Sequence, residues 1–264
     1  MSLTGSNLEL SRIAHRAMDV AVSTLTGFGD PKVWSKGPND LVTDADEAVE
    51  ETVRSFLGDE TPEIAFLGEE SGPHGSHGSH EVSWVLDPLD GTVNFSRGLP
   101  AFAIALSLVD SRGAVVAEIC APRFGERFVA SRGKGSTCNG ERILVSETIS
   151  LNDSIACLDD FSPHVNRTKT RVALFSALSP AVMRVRSTGS ASIDLSWLAA
   201  GRVDAVIMLS NQPWDTAAGV LIAQEAGAEI MDIGGNPFSP VSESLLAASP
   251  EIAKALLRVV DSAS

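Results

Sequence analysis

Acidic side chains that could bind a metal ion are concentrated in four short segments of the chain. These segments are 40–46, 68–71, 87–92 and 214–215. In the third segment, Asp87 and Asp90 stand three residues apart across a proline turn, so their carboxylates and the Leu89 carbonyl can converge on one point. Clusters made only of oxygen ligands suit hard cations such as Mg²⁺. Asp-Pro and Asp-Gly also form ordinary turns, but the four segments together favour a magnesium site.

The net charge of the chain excludes some classes of partner. Its 264 residues contain 20 Lys and Arg against 34 Asp and Glu, a formal net charge of -14, which repels polyanions. We therefore expect neither nucleic acid nor a membrane as a partner. The amino terminus has no basic segment before an apolar run, and no stretch approaches about 18 uninterrupted apolar residues. Neither export nor membrane spanning is expected.

The elements that must position these residues begin with two helices and a region rich in strands. Apolar spacing predicts helices over 11–25 and 45–57 and strands over 82–86, 101–109, 114–120 and 127–130. The second helix is predicted to start with Asp44 and Glu47 in an arrangement like a capping box. A loop over 68–80 precedes the first strand, which is predicted to stop at Asp87-Pro88. The later strands indicate an antiparallel meander.

Strands and helices alternate after residue 151. Predicted strands cover 154–158, 182–185, 203–209 and 229–233, and predicted helices cover 167–178, 190–200, 214–226 and 250–260. This change, from a region rich in strands to alternating strands and helices, predicts an α/β fold class with two lobes in one compact unit. We expect an α+β amino-terminal lobe over 1–150 and an α/β carboxy-terminal lobe over 151–264.

Two long segments and several short ones carry recognisable signatures. The long ones are 84–95 (WVLDPLDGTVNF) and 214–227 (WDTAAGVLIAQEAG), and the short ones are 36–46, 68–71, 133–140 and 186–191. In this order, and over nearly the whole chain, they resemble the inositol monophosphatase family of metal-dependent, lithium-sensitive phosphatases. The resemblance implies a layered α/β/α/β/α sugar-phosphatase fold with the site between the two lobes.

The resemblance also implies a set of metal ligands. One Mg²⁺ is expected on Glu69, Asp87 and the Leu89 carbonyl, and a second on Asp87, Asp90 and Asp215. A third and weaker Mg²⁺ would bind mainly to Glu69 and water. Carboxylates in one pocket cannot all be ionised unless cations compensate their charges. The amino-terminal lobe would thus carry most of the ligands, and the carboxy-terminal lobe would contribute Asp215.

Further residues acquire catalytic roles through the same resemblance. Thr92, paired with Asp46, is expected to orient and deprotonate the attacking water, with Glu69 close by. The backbone N–H groups of Gly91 and Thr92 could cradle phosphate oxygens, and Lys36 would add a positive charge near the metals. The expected reaction is in-line hydrolysis of a phosphate ester by metal-activated water. From the residues alone, Asp46 could also be a helix cap and Thr92 a turn residue.

Substrate identity is less well defined by the sequence. Inositol-specific members carry an acidic residue about six positions before the Trp-Asp pair, where this chain has Met208. Ser190 and Ala191 are further candidate substrate contacts. We expect a phosphomonoesterase for a small phosphate monoester, with histidinol phosphate, a sugar phosphate or a nucleotide phosphate as alternatives to inositol phosphate. A 3',5'-bisphosphate nucleotidase or fructose bisphosphatase of the same superfamily and a non-catalytic metal-binding scaffold remain open.

The remaining reactive side chains are expected to stay outside the mechanism. Three widely spaced cysteines fit neither a disulfide framework nor a metal motif, which favours a cytoplasmic location. His74, His77 and His80 could bind a transition metal, but their glycine and serine spacers favour a flexible surface loop. Because family members are often homodimers, a homodimer is a further expectation.

Overall fold

Helices and strands are interspersed along the whole chain. The structure, a computed structural model, describes residues 3–29, 31–37, 40–74, 82–159 and 168–263. Within these ranges the α-helices are α1 (Leu3–Thr26), α2 (Asp44–Glu60), α3 (Thr92–Ser96), α4 (Thr168–Leu178), α5 (Ala191–Ala199), α6 (Pro213–Glu225) and α7 (Pro250–Asp261). None of these helices combines the length and the apolar character needed to cross a bilayer.

The strands of the described ranges form a hairpin and two larger sheets. They are β1 (Val33–Gly37), β2 (Asp40–Thr43), β3 (Ala65–Gly68), β4 (Gly72–His74), β5 (Ser83–Asp90), β6 (Ala103–Asp110), β7 (Gly113–Ala121), β8 (Glu126–Ser131), β9 (Ser136–Cys138), β10 (Glu141–Ile143), β11 (Ile155–Leu158), β12 (Arg184–Arg186), β13 (Ala205–Met208), β14 (Glu229–Met231) and β15 (Leu245–Ala248). Strands β1 and β2 pair with each other as an antiparallel hairpin.

The larger sheet has the strand order β10-β9-β8-β7-β6-β5-β3-β4. Its neighbours pair antiparallel, except that β3 and β5 run parallel. Strands β6, β7 and β8 pair in sequence order, which is the predicted antiparallel meander. Strand β5 lies between β3 and β6, so the acidic turn at its end is supported from both sides.

The smaller sheet has the strand order β12-β11-β13-β15-β14. Strand β11 pairs parallel with β12 and β13, as expected for alternating strands and helices, whereas β15 pairs antiparallel with β13 and β14. Strand β15 is not predicted from the sequence. Its four residues are all buried and apolar, so they lack the alternation that identifies a strand with one exposed face.

The two sheets and the helices stack as five layers. Helices α1 and α2 pack on one face of the larger sheet, and α5 and α6 pack on its other face. The same α5 and α6 also cover one face of the smaller sheet, whose far face packs against α4 and α7. This arrangement confirms the predicted α/β fold class with α/β/α/β/α layers.

Helix α2 begins differently from the prediction. Its capping box consists of Thr43 and Asp46, because the Thr43 hydroxyl accepts from the Asp46 N–H at 3.4 Å and Asp46 Oδ2 accepts from the Thr43 N–H at 2.8 Å. The predicted box of Asp44 and Glu47 is wrong. Thr43 ends β2 with extended backbone, so the helix starts one residue earlier, and Asp44 accepts instead from the Lys32 N–H.

Strand β5 also departs from the prediction, since it does not stop at Asp87-Pro88. It continues to Asp90, and the pairing with β6 shifts register between Asp87 and Asp90. A β-bulge tolerates a proline because the ladder is already interrupted there. Part of the predicted loop over 68–80 forms β4, while residues 75–81 lie outside the described ranges.

Helix α6 approaches α5 closely at Gly219. A Cβ atom added to Gly219 would lie 2.6 Å from Cδ1 and 2.7 Å from Cβ of Leu195. Cores packed to this density have no room for an extra methyl group. The contact matters for the site because α6 carries Asp215 in its first turn and α5 begins beside Asp90.

We expect Gly219→Ala to lower the free energy of unfolding by about 1–3 kcal/mol, because the added methyl group overpacks the contact between α5 and α6. Gly58→Ala in α2 is the matched control, since a Cβ there meets open space and alanine favours a helix by up to about 1 kcal/mol over glycine. Urea denaturation followed by circular dichroism measures both. Equal stability of the two variants would contradict this description of the packing.

Candidate active site

The bulge at the end of β5 brings three candidate ligands together. Asp87 is buried, and its Oδ1 accepts from the Leu89 N–H at 2.9 Å. Asp90, three residues on, reaches α5, where its Oδ2 accepts from the Ser192 N–H in the first turn of the helix. The carboxylates of Asp87 and Asp90 therefore come from the same turn but accept hydrogen bonds from different elements.

Four carboxylates act on one another in this region, those of Glu69, Asp87, Asp90 and Asp215. Burial raises the pKa of Asp87 well above its usual range, and the charges of the other three raise it further. Burial likewise raises the pKa of Asp215, followed by repulsion from Asp90 and Glu69. Burial raises the pKa of Glu69 to about 7, with a further contribution from Glu70. The cluster is therefore destabilised by its own negative charge.

The donor set fits a hard divalent cation. After burial, the largest influences on the pKa values of Asp87 and Asp215 are other carboxylates, and a nearby cation would favour the ionised form of each. Carboxylate and carbonyl oxygens are the ligands that Mg²⁺ prefers. Among the described residues, no group of three or more Asp, Glu, His or Cys side chains is arranged so that it could hold a metal ion as it stands. The carboxylates are thus suitable ligands that lie near one another, but they do not form a complete coordination shell.

Thr92 and Asp46 lie in direct contact beside this cluster. The Thr92 hydroxyl donates to Asp46 Oδ1 at 3.0 Å and lies 3.1 Å from the Leu89 carbonyl oxygen. Asp46 Oδ2 accepts from Thr43 in the capping box. Asp46 is therefore a helix cap and a partner of Thr92 at the same time, so the two alternatives left open by the sequence are compatible. Burial raises the pKa of Asp46 against the lowering effect of these hydrogen bonds.

The segment after β3 places Glu69 next to Asp87, close enough for their carboxyl groups to hydrogen-bond. The Glu69 N–H donates to the Leu86 carbonyl oxygen at 3.2 Å, which ties the segment to β5. Lys36 forms an ion pair with Glu70 and lowers the pKa of Glu69 through its charge. The positive charge of Lys36 thus lies at the edge of the cluster, where it pairs with Glu70, the residue that follows the candidate ligand Glu69.

Ser190 and Ala191 lie at the start of α5, against Asp90. Ser190 is buried and caps the helix, with its hydroxyl accepting from the Ile193 N–H at 3.3 Å. Ser190 and the backbone of Ala191 also hydrogen-bond to Asp90 and lower its pKa, although burial raises that pKa overall. Both residues therefore support a candidate metal ligand, and their contact with a substrate stays a prediction.

Asp215 and Met208 come from α6 and β13, in the later part of the chain. Asp215 lies in the first turn of α6, where the helix dipole favours a negative charge. Met208 ends β13 and is only 4% exposed, packed within the core around α5 and α6. The structure assigns Met208 to the core, and its contact with a substrate stays a prediction. Gly91 precedes α3 as its N-cap, and phosphate binding by its N–H stays a prediction as well.

Two buried acids that support the site were not identified from the sequence. Asp194 accepts from the Thr188 hydroxyl at 2.9 Å and from the Cys157 thiol, directly behind the start of α5. Glu50 lies four residues after Asp46 on α2 and accepts from two amides that follow Glu69. Spacing of i and i+4 on a helix, which places Asp46 and Glu50 on one face, is the signal that could have identified Glu50.

The three cysteines and His74 take no part in the cluster. Cys120, Cys138 and Cys157 are free thiols, and burial raises the pKa of Cys120 to about 11, which keeps it protonated and unreactive. His74 Nε2 lies 2.7 Å from the Ser71 hydroxyl. His77 and His80 fall in 75–81, outside the described ranges, so their role stays open.

A separate cavity of about 330 Å³ lies between the larger sheet and α6. Leu67, Val85 and Val220 are among the residues that line it. None of its described lining residues is one of the four carboxylates. The cavity is therefore distinct from the candidate active site.

Comparison with known proteins agrees with the fold and with these motifs. The family model for the inositol monophosphatase family matches residues 6–264, and the chain belongs to this family. It is 34% identical to a Nus factor SuhB of Vibrio cholerae, over 94% of this chain and 92% of the relative. No single activity follows from that resemblance.

Solved structures show the same fold at similar identity. The extragenic suppressor protein suhB of Bartonella henselae is 32% identical, with a TM-score of 0.88 and coverage of 94% of this chain and 97% of the other. An inositol monophosphatase from Anabaena is 30% identical, with a TM-score of 0.84 and coverage of 97% and 96%. The layered architecture described above is thus the architecture of this family.

We expect the stability of the protein to depend on pH through Asp194. Burial raises the pKa of Asp194 to about 7, whereas the carboxyl group of the unfolded chain titrates near its ordinary value of about 3.9. The folded state therefore keeps a proton that the unfolded state has lost, and this group's contribution to the free energy of unfolding falls as the pH rises from about 4 to about 7.

Asp194→Asn should remove that part of the pH dependence, by up to roughly 4 kcal/mol, since one pKa unit corresponds to about 1.4 kcal/mol. Urea denaturation of both proteins at several values between about pH 4.5 and 8 measures the difference. The variant should gain stability relative to the wild type as the pH rises. A difference that stays constant across this range would show that Asp194 does not titrate as described.

Proposed function

We propose that the chain is a Mg²⁺-dependent phosphomonoesterase that hydrolyses a small phosphate monoester. The observation that carries the proposal is the group of four closely spaced carboxylates, whose charges raise the pKa values of Asp87 and Asp215, beside the hydrogen-bonded pair of Thr92 and Asp46. Carboxylates gathered in this way favour cations, and a hydroxyl held by a carboxylate favours proton transfer from water. The proposal includes the division of the chain into lobes over 1–150 and 151–264, with the site between them.

The metal ligands in this proposal come from both lobes. Glu69, Asp87 and the Leu89 carbonyl would hold one Mg²⁺, and Asp87, Asp90 and Asp215 would hold a second. Any third Mg²⁺ would bind mainly to Glu69. Bound Mg²⁺ would supply Lewis-acid stabilisation of the phosphate oxygens and of the leaving oxygen and would lower the pKa of water. The ligands themselves bind and orient, and their support by β5, α5 and α6 keeps them in place.

Thr92 is the residue that orients the attacking water in this mechanism. When the Thr92 hydroxyl donates to Asp46 Oδ1, 3.0 Å away, the lone pairs of its oxygen can accept a hydrogen bond from water. Asp46 stabilises that orientation and can receive a proton through Thr92, while Glu69 lies close by as a second base. The pKa of Asp46 is already raised by burial, which makes it a better proton acceptor than an exposed aspartate.

The substrate is a small phosphate monoester in this proposal, and inositol phosphate is one candidate. Met208 occupies the position where inositol-specific members have an acidic residue, so a site that binds every ring hydroxyl is not expected. Histidinol phosphate, sugar phosphates and nucleotide phosphates are therefore alternatives, and a bisphosphate is a further one. Inhibition by lithium and formation of a homodimer are expectations that follow from the family.

Phosphate release with and without Mg²⁺ tests the proposal directly. The panel contains inositol 1-phosphate, histidinol phosphate, hexose phosphates, nucleoside monophosphates and adenosine 3',5'-bisphosphate. We expect Mg²⁺-dependent release from a monoester and its loss in Asp215→Asn, because that change removes a ligand charge and keeps the side-chain volume. A variant that retains more than half of the activity would contradict the role of Asp215.

We expect Thr92→Ala to slow hydrolysis without weakening substrate binding. Loss of a positioned acid-base partner lowers kcat by about 10²–10⁴-fold, whereas KM should change little. Thr92→Ser keeps the hydroxyl and is the control, and steady-state kinetics on the preferred monoester separates kcat from KM. An increase in KM at unchanged kcat would instead identify Thr92 as a substrate ligand.

A second candidate function is a role that needs no catalysis. Relatives of this chain that are 34% to 35% identical are named Nus factor SuhB, and that name describes no hydrolysis. The chain could therefore serve as a metal-binding regulator with the same fold. Absence of phosphate release from the whole panel, with Mg²⁺ still bound, would favour this function over the first.

A further inference from the structure

We propose that Glu50 is a positioning residue for the candidate metal site, acting through Glu69. Glu50 lies in α2 and is 2% exposed. The inference deepens the proposed function, because it rests on Glu69 as a metal ligand. Glu50 is not itself a ligand in this proposal and touches no reacting atom.

The carboxylate of Glu50 holds the backbone that directly follows Glu69. Its Oε2 accepts from the Glu70 N–H and its Oε1 from the Ser71 N–H, both at 2.8 Å. Hydrogen bonds to an ionised acceptor are about twice as strong as those between neutral groups. On the other side, the Glu69 N–H donates to Leu86 in β5. Glu69 is thus held between β5 and α2.

Gly68 makes room for this carboxylate. A Cβ atom added to Gly68 would lie 2.3 Å from the carboxyl carbon of Glu50 and 2.4 Å from its Oε2. Such a separation is far inside van der Waals contact, so only glycine allows the carboxylate to approach the turn. Glu50 and Gly68, 18 positions apart in the chain, therefore pack directly against each other.

The same helix also supports the opposite side of the site. Asp46 and Glu50 lie four residues apart, on one face of α2, and Asp46 accepts from Thr92. An apolar residue would fill the space of Glu50 without the cost of burying a charge, but it could not accept from two adjacent amides. Glu50 therefore fixes the position of the backbone that follows Glu69, as ligand-orienting groups next to metal sites do.

Magnesium binding to the full chain, measured by isothermal titration calorimetry, tests this role apart from activity. In Glu50→Gln one acceptor oxygen remains, but the new NH₂ group faces an amide donor. We expect about 10–100-fold weaker Mg²⁺ binding, the range known for ligand-orienting residues. Glu47→Gln makes the same change at an exposed position of α2 and should bind Mg²⁺ like the wild type. Equal affinity of Glu50→Gln and Glu47→Gln would overturn the proposal.

A second comparison separates positioning from general destabilisation. If Glu50 acts through Glu69, adding Glu50→Gln to Glu69→Gln should weaken Mg²⁺ binding by no more than about twofold, since coupled residues are not additive. A full additive loss would overturn the proposal. If Glu50→Gln does not fold, Gly68→Ala displaces the same carboxylate from the other side, and unchanged Mg²⁺ affinity in that variant would be equally decisive.

The wild type distinguishes failure of this inference from failure of the proposed function. Phosphate release is assayed on the same preparations. Mg²⁺ binding without phosphate release would overturn the proposed function and leave the affinities of the variants to decide the role of Glu50. No Mg²⁺ binding by the wild type would overturn both.

Discussion

The buried Asp87 and the three half-buried carboxylates around it impose the electrostatic constraint that the surrounding elements must satisfy. Glu69, Asp87, Asp90 and Asp215 all lose hydration on folding. The charges of Glu69, Asp90 and Asp215 raise the pKa of Asp87, and those of Asp90 and Glu69 raise the pKa of Asp215. Such an arrangement lowers the stability of the fold unless a cation compensates it. Other interactions must therefore hold the carboxylates in place, and the surrounding strands and helices provide them.

The supporting elements act mainly through backbone N–H groups. Asp87 accepts from the turn at the end of β5, and Asp90 accepts from the first turn of α5. Asp215 lies in the first turn of α6, where the helix dipole favours its charge. Asn94 links two distant segments beside the site, since its side-chain amide donates to the Ala101 and Thr188 carbonyl oxygens. Asp87, Asp90 and Asp215 are thus held by β5, α5 and α6, whereas the candidate ligand Glu69 lies in the turn after β3.

Much of the fold and the acidic turn could be predicted from the sequence, because the information is local. Asp87 and Asp90 flank a proline in one short segment, and the meander and the alternating half show in their periodicity. The start of α2 was misplaced because neighbouring acids offer several possible caps, and only the extended backbone of Thr43 decides between them. Strand β15 was missed because a wholly buried run has no alternation.

The contacts that hold the site together were the hardest to predict. The partners of Glu50 lie 20 and 21 residues further along the chain, and a glutamate in an acid-rich helix resembles a solvent-exposed residue. Asp194 was not identified from the sequence either, because its burial results from the packing of α5 between the two sheets. Sequence spacing identifies which groups could bind a metal, whereas tertiary packing determines which groups position them.

The thermal stability of the wild type in Mg²⁺ tests the central claim most directly. A ligand at concentration c that binds only the folded state raises its stability by RT ln(1 + c/Kd), which grows with the logarithm of ligand concentration once that exceeds Kd. We predict that Tm rises with Mg²⁺ concentration relative to a sample in EDTA, while NaCl at matched ionic strength has a much smaller effect. A Tm that does not respond to Mg²⁺ would contradict the claim that this carboxylate cluster is a metal site.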